Sequence, residues 1–195
     1  MSASVRPAPA DPHSVVSNPD RFEPLQAVAR SLVDDLAANY DVTVSWAAAS
    51  STAVPWAPKF SRAGVELREA VLLAPRDPRS ASIAIGFTTF PGVIVRAGAL
   101  HEFVFPACGC DASDEQVDDL ANRLGDVVRT VVGGGYSEEI DGSMVSYSLR
   151  HASGWQSGEC HSGEFPAERL ADARAVLAGV QDGWAPWARR EVQAG

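Results

Sequence analysis

The stretch Ile83–Phe105, IAIGFTTFPGVIVRAGALHEFVF, decides the fold class. Ile83, Ile85 and Phe87 fall on one face of a predicted strand. Pro91–Gly92 reads as a turn, and Val93, Ile94 and Val95 as a returning strand. A second turn near Ala97–Gly98 leads into residues 99–105, where His101, Phe103 and Phe105 share one face and Leu100, Glu102 and Val104 the other. Strands joined by turns this short pair antiparallel, because parallel pairs need a long crossover.

Toward the N-terminus the alternation continues. Val65, Leu67, Glu69, Val71 and Leu73 form one face of a strand, and Val42, Val44 and Trp46 mark another. Residues 50–61, with Pro55 and Pro58, read as a loop over Trp56. Before them, Leu25, Val28, Ala29, Leu32, Val33 and Leu36 make one stripe at a 3.6-residue period, predicting a helix over 24–39 with Pro24 in its first turn. Residues 1–20, with Pro7, Pro9, Pro12 and Pro19, read as a disordered arm.

Toward the C-terminus, Val117, Leu120, Ala121, Leu124, Val127, Val128 and Val131 predict a helix over 114–132. Ser113 and Gln116 spell a capping box at its start, and Gly133–Gly134–Gly135 stops it. Asp141–Gly142 signals a hairpin between residues 136–140 and 143–151. Residues 153–163 read as a Gly/Ser-rich loop. Pro166 opens a last helix to about Gly179, and Trp184 and Trp187 pin a tail. The expectation is one α+β domain over 21–195, with a mainly antiparallel sheet of five to seven strands and three helices.

Composition narrows function. The 195 residues carry 16 basic and 25 acidic side chains, a formal net charge of −9, which repels phosphate backbones. Only Arg189 and Arg190 are adjacent basic residues, so no nucleic-acid partner is expected. No apolar run reaches the ~18–20 residues of a membrane span. Three cysteines and no signal-peptide pattern point to the cytoplasm. Lys59, the one lysine, is followed by Phe60, which excludes a P-loop. His101-Glu102 opens a zincin-like motif, but Phe105 stands where its second histidine would be. Gly154-Trp155-Gln156-Ser157-Gly158 has the wrong spacing for a hydrolase elbow. Glu138 and Glu139 are neighbours on a predicted strand and face opposite sides.

One segment carries chemistry: Phe105-Pro106-Ala107-Cys108-Gly109-Cys110-Asp111-Ala112-Ser113-Asp114-Glu115. Gly109 lets the backbone bend so that both sulfurs face one point. The plain reading makes Cys108 and Cys110 small buried fillers at a strand-to-helix junction. The chemical readings are a soft-metal site, zinc first, or a thiol centre. Zinc would draw further ligands from His101, Cys160 and His161. A nucleophilic Cys108 would need His151 or His161 as base. A Cys108–Cys110 disulfide would close a very small ring and be labile.

Residues Phe90 to Gly98, then His101-Glu102, then Phe105-Pro106-Ala107-Cys108-Gly109-Cys110-Asp111-Ala112 resemble an actinobacterial family of unknown function. The resemblance extends from about Arg21 to at least His151. That family's pattern commonly continues to a third cysteine, and Ser113 stands there. This departure weakens any metal site the resemblance implies. The leading reading is therefore a binding or accessory domain for a protein or small-molecule partner. The alternative is a zinc-binding or thiol-dependent protein using Cys108 and Cys110.

Overall fold

The computed structural model describes residues 15–48, 66–151, 154–180 and 183–191. The loop expected over 50–61, with Trp56, lies outside them. So do residues 1–14 of the expected arm. The remainder of that arm is held to the body: Ser17 donates its backbone N–H and its hydroxyl to the Asp111 carboxylate. A 3-10 turn over Pro19–Phe22 then buries Phe22 and leads into the first helix.

Helix α1 (Glu23–Asn39) buries Leu25, Ala29, Val33 and Leu36, as the periodicity predicts. Strands β1 (Val42–Ala48), β2 (Leu67–Pro75), β3 (Ile83–Thr88), β4 (Val93–Ala97) and β5 (Glu102–Phe105) follow in chain order. They form one antiparallel meander, ordered as in the sequence. The Pro91–Gly92 turn sets the register, with Phe87 opposite Val93 and Ile85 opposite Val95. Ile83, Ile85, Phe87, Val93, Val95, Phe103 and Phe105 point into the main core. There they meet α1 and helix α2 (Val117–Val132), whose Leu120, Leu124, Val128 and Val131 are buried. Each buried aliphatic side chain contributes about 2 kcal/mol relative to exposure.

Strands β6 (Tyr136–Asp141), β7 (Met144–His151) and β8 (Gly154–His161) form a second antiparallel sheet. Helix α3 (Ala167–Leu177) packs Leu170 and Ala173 against it, beside Leu100 and Val145. The tail returns to the first layer. Trp187 donates its indole N–H to the Ala81 carbonyl at 2.8 Å, and Trp184 is buried.

The α+β class and the three helices agree with the sequence reading, and three details differ. The strands split into sheets of five and three rather than one. Helix α2 intervenes between β5 and β6, so the later hairpin need not extend the β5 edge. That helix starts at Val117 rather than at residue 114, with no side-chain cap from Gln116. Ser113 is engaged elsewhere, donating its hydroxyl to Glu115. Finally, of the stretch expected as a loop over 153–163, residues 154–161 pair along β7 as β8.

Candidate functional site

Strand β5 ends at Phe105, and Pro106 follows it. The ten residues from Ala107 to Gln116 then cross to α2. Within this loop Cys108 and Cys110 form a disulfide with each other, their Cα atoms 5.5 Å apart. Gly109 between them has φ +71°, a left-handed conformation that disfavours side chains. A Cβ there would also sit 2.8 Å from the Phe90 ring. Cys108 is exposed, whereas Cys110 is 2 % exposed.

Two carboxylates hold this loop. Glu115 folds back and accepts the backbone N–H groups of Ala107 (3.0 Å), Cys108 (3.1 Å) and Gly109 (3.4 Å), and the Ser113 hydroxyl. Burial pushes the Glu115 carboxyl up, but those four donors outweigh it and leave the pKa below the ordinary 4.5. Asp111 accepts from Ser17, while its own N–H donates to the Val15 carbonyl at 2.9 Å. The Ser17 hydroxyl and N–H lower the Asp111 pKa. On the buried side, Arg21 donates from Nη2 to the Cys110 carbonyl at 3.1 Å, and its Nε is buried without a hydrogen-bond partner among the described residues.

A cleft of about 430 Å³ opens beside Cys108. Phe90, Ile94, Val104, Phe105 and Pro106 supply its apolar wall. Glu66 is the only charged side chain among its described lining residues. A second cleft, of about 390 Å³, lies where β5, α2 and β7 meet, with Phe103, Arg123, Thr130 and Tyr147 around it.

The other candidate ligands do not join the cysteine pair. The His101 ring stacks on Tyr147, centroids 3.5 Å apart, and meets Phe103 edge-on. Burial pushes its pKa down to about 4. Cys160 is a free thiol on β8, packed against the second core, and burial with the nearby Glu164 pushes its pKa up. His161 accepts the Gly163 N–H on Nδ1 and caps the 3-10 turn over Ser162–Glu164. His151 lines the second cleft, not the loop. Among the described residues, no three His, Cys, Asp or Glu side chains assemble to hold an ion.

Several organising residues escaped the sequence reading. Glu138 on β6 accepts the backbone N–H groups of Ala99 (2.7 Å), Leu100 (2.9 Å) and His101 (2.7 Å), fastening the second sheet to the β4–β5 turn. Arg169 of α3 pairs with Glu102 at 2.9 Å and donates to the Leu100 carbonyl at 2.8 Å. Glu115 lies seven residues beyond Cys108, a span at which only the path of the loop makes contact, so spacing carried no signal. Arg169 likewise meets β5 only through the packing of α3.

Among the described residues no helix is long and apolar enough to cross a membrane. No curated protein and no solved structure matches the chain. A family model does match, over residues 3–191, nearly the whole length: the chain belongs to a family of unknown function, DUF6226.

Proposed function

We propose that this domain is a thiol–disulfide exchange module whose redox centre is Cys108-Gly109-Cys110. The observation that carries the reading is the asymmetry of the pair: Cys108 is exposed and Cys110 is buried. Cys108, exposed as a residue and lining a cleft, fills no core, and of the pair it is the one an incoming thiolate would approach. The loop is also held by bonds that do not depend on the disulfide. Glu115 grips three of its amides and Asp111 is tied to Ser17. These contacts keep both sulfurs within reach of each other when the bond opens, so that it can close again.

The exchange follows ordinary thiol chemistry. A thiolate of an incoming dithiol attacks Cys108 Sγ. The Cys108–Cys110 bond breaks, and Cys110 leaves as thiolate and takes a proton from water. The partner's second thiolate then attacks its own sulfur in the mixed disulfide. Cys108 is released as thiolate and protonated in turn. The partner loses two electrons and two protons, and the protein gains them; an external disulfide reverses the sequence. The half-buried Arg21 guanidinium, already bonded to the Cys110 carbonyl, favours negative charge on that side. The cleft beside Cys108 joins this reading to that of a binding domain, because a group seated there lies next to the reactive sulfur.

Thiol counting across a dithiothreitol redox titration tests the proposal. Under mild oxidation one thiol, Cys160, is expected; under reduction two more appear together, without loss of the fold. Cys108→Ser and Cys110→Ser should each abolish the paired step. Three free thiols at every poise of a cytoplasm-like glutathione buffer, or a disulfide reduced only after unfolding, would refute exchange.

A further inference from the structure

The hydrogen-bond parity of the first sheet shows what lies open next to Cys108. The Thr88 N–H bonds to the Gly92 carbonyl, so residues 92, 94 and 96 face β3. The Ala97 N–H bonds to the His101 carbonyl, so Phe103 and Phe105 face β4 in turn. Val104, opposite Ile94, therefore directs its N–H and C=O away from the sheet. No described residue bonds them. Arg169 covers this edge at Leu100, and Pro106 ends it. At Val104 the edge strand thus presents one donor and one acceptor, between the cleft that ends at Cys108 and the second cleft.

Building on the exchange reading, we infer that the partner of Cys108 is an extended, cysteine-bearing polypeptide segment, apolar beside its cysteine and free of acidic residues, that adds to β5 at Val104. An extended chain supplies the two backbone bonds that the edge lacks. Its apolar side chain fits the wall of Phe90, Ile94, Phe105 and Pro106. The charge selects against acidic thiols. Glu66 is the charged lining side chain, while Arg68 is turned to the Thr89 carbonyl. Asp111 and Glu115 flank the cysteines, Arg21 stands on the side of Cys110 rather than of Cys108, and the whole chain carries −9. A thiolate bringing further carboxylates approaches against this field.

The test compares reduction rates of the oxidised full-length protein, followed by mass spectrometry. One probe is a reduced peptide with two cysteines, valine beside each and lysine at both ends; a second replaces the lysines by glutamates. Glutathione and dithiothreitol complete the set. The lysine peptide is expected to react about tenfold faster than the glutamate peptide or glutathione. Methylating its backbone nitrogen beside the attacking cysteine should slow it about fivefold, the worth of one hydrogen bond. Glu66→Lys, at an exposed position, should narrow the ratio between the rates of the two peptides. Equal rates for both peptides and glutathione, with dithiothreitol still active, overturn the partner and leave exchange standing. A centre that dithiothreitol cannot reduce overturns both.

Discussion

Glu138 is a single side chain on which the joining of the two sheets depends. Its two oxygens take three backbone N–H groups from consecutive residues of the β4–β5 turn. Burial pushes its carboxyl above the ordinary range, although the N–H groups of Ala99, His101 and Leu100 pull the other way. Glu138→Gln keeps the shape but places an NH2 donor against backbone donors. The expected cost is about 1–3 kcal/mol, read as a lower urea midpoint with an unchanged slope. A change within about 0.5 kcal/mol would show that water replaces the lost acceptor. In the sequence, Glu138 was legible only as a strand residue facing the opposite side from Glu139. That parity was correct, but its partners lie 37 to 39 residues back in the chain. The cysteine pair was legible because its two members are sequence neighbours. The exposure that separates Cys108 from Cys110 was not, because it depends on how Arg21 and the N-terminal segment close over one side of the loop.

Elements with a long, clean period were readable and those with a mixed one were not. The stripe of α1 sets its buried face directly, and the tight turns of 83–105 set the meander. Strand β8 resisted because its outer side is solvent. Trp155 is 71 % exposed, and the strand contains glycine and serine where a half-buried strand would carry β-branched residues. Gly158 is there for a tertiary reason. A Cβ at this position would lie 2.6 Å from Tyr147 Cε1, and Tyr147 is the ring stacked on His101. Gly158→Ala should thus displace Tyr147 and destabilise the protein by about 1–3 kcal/mol. With its cover disturbed, His101 should also titrate closer to 6.5 than to about 4, a shift measurable by NMR. If both stability and the His101 titration stay unchanged, the second sheet does not press on β5 as described.

At the scale of the molecule, the split into two sheets was the part least open to sequence reasoning. A hairpin after α2 is equally compatible with extending β5 or with a sheet of its own. The choice rests on long-range contacts at the turn before β5, where His101 lies between Phe103 of β5 and Tyr147 of β7 while Glu138 of β6 holds its backbone N–H. At this junction His101 and Glu138 give the fold two pH dependences of opposite sign. Burial depresses the folded pKa of His101 from 6.5 to about 4, so between these values the unfolded chain binds a proton that the folded one refuses. Stability is therefore full above about pH 6.5 and falls as pH drops toward 4, by at most about 3 kcal/mol. Glu138, with its raised pKa, acts in the opposite sense: its protonation favours the folded state as pH falls. Glu115 and Asp111 have depressed values, so their contributions are lost only on further acidification, as pH falls below their unfolded values of 4.5 and 3.8. The histidine part is isolated by subtracting the urea stability curve of His101→Gln from that of the wild-type protein between pH 4 and 7. The difference should slope with pH in that window and flatten above it. A flat difference throughout would mean that the imidazole takes up its proton without leaving Tyr147, and that the stack adds no pH dependence to the contact between the sheets.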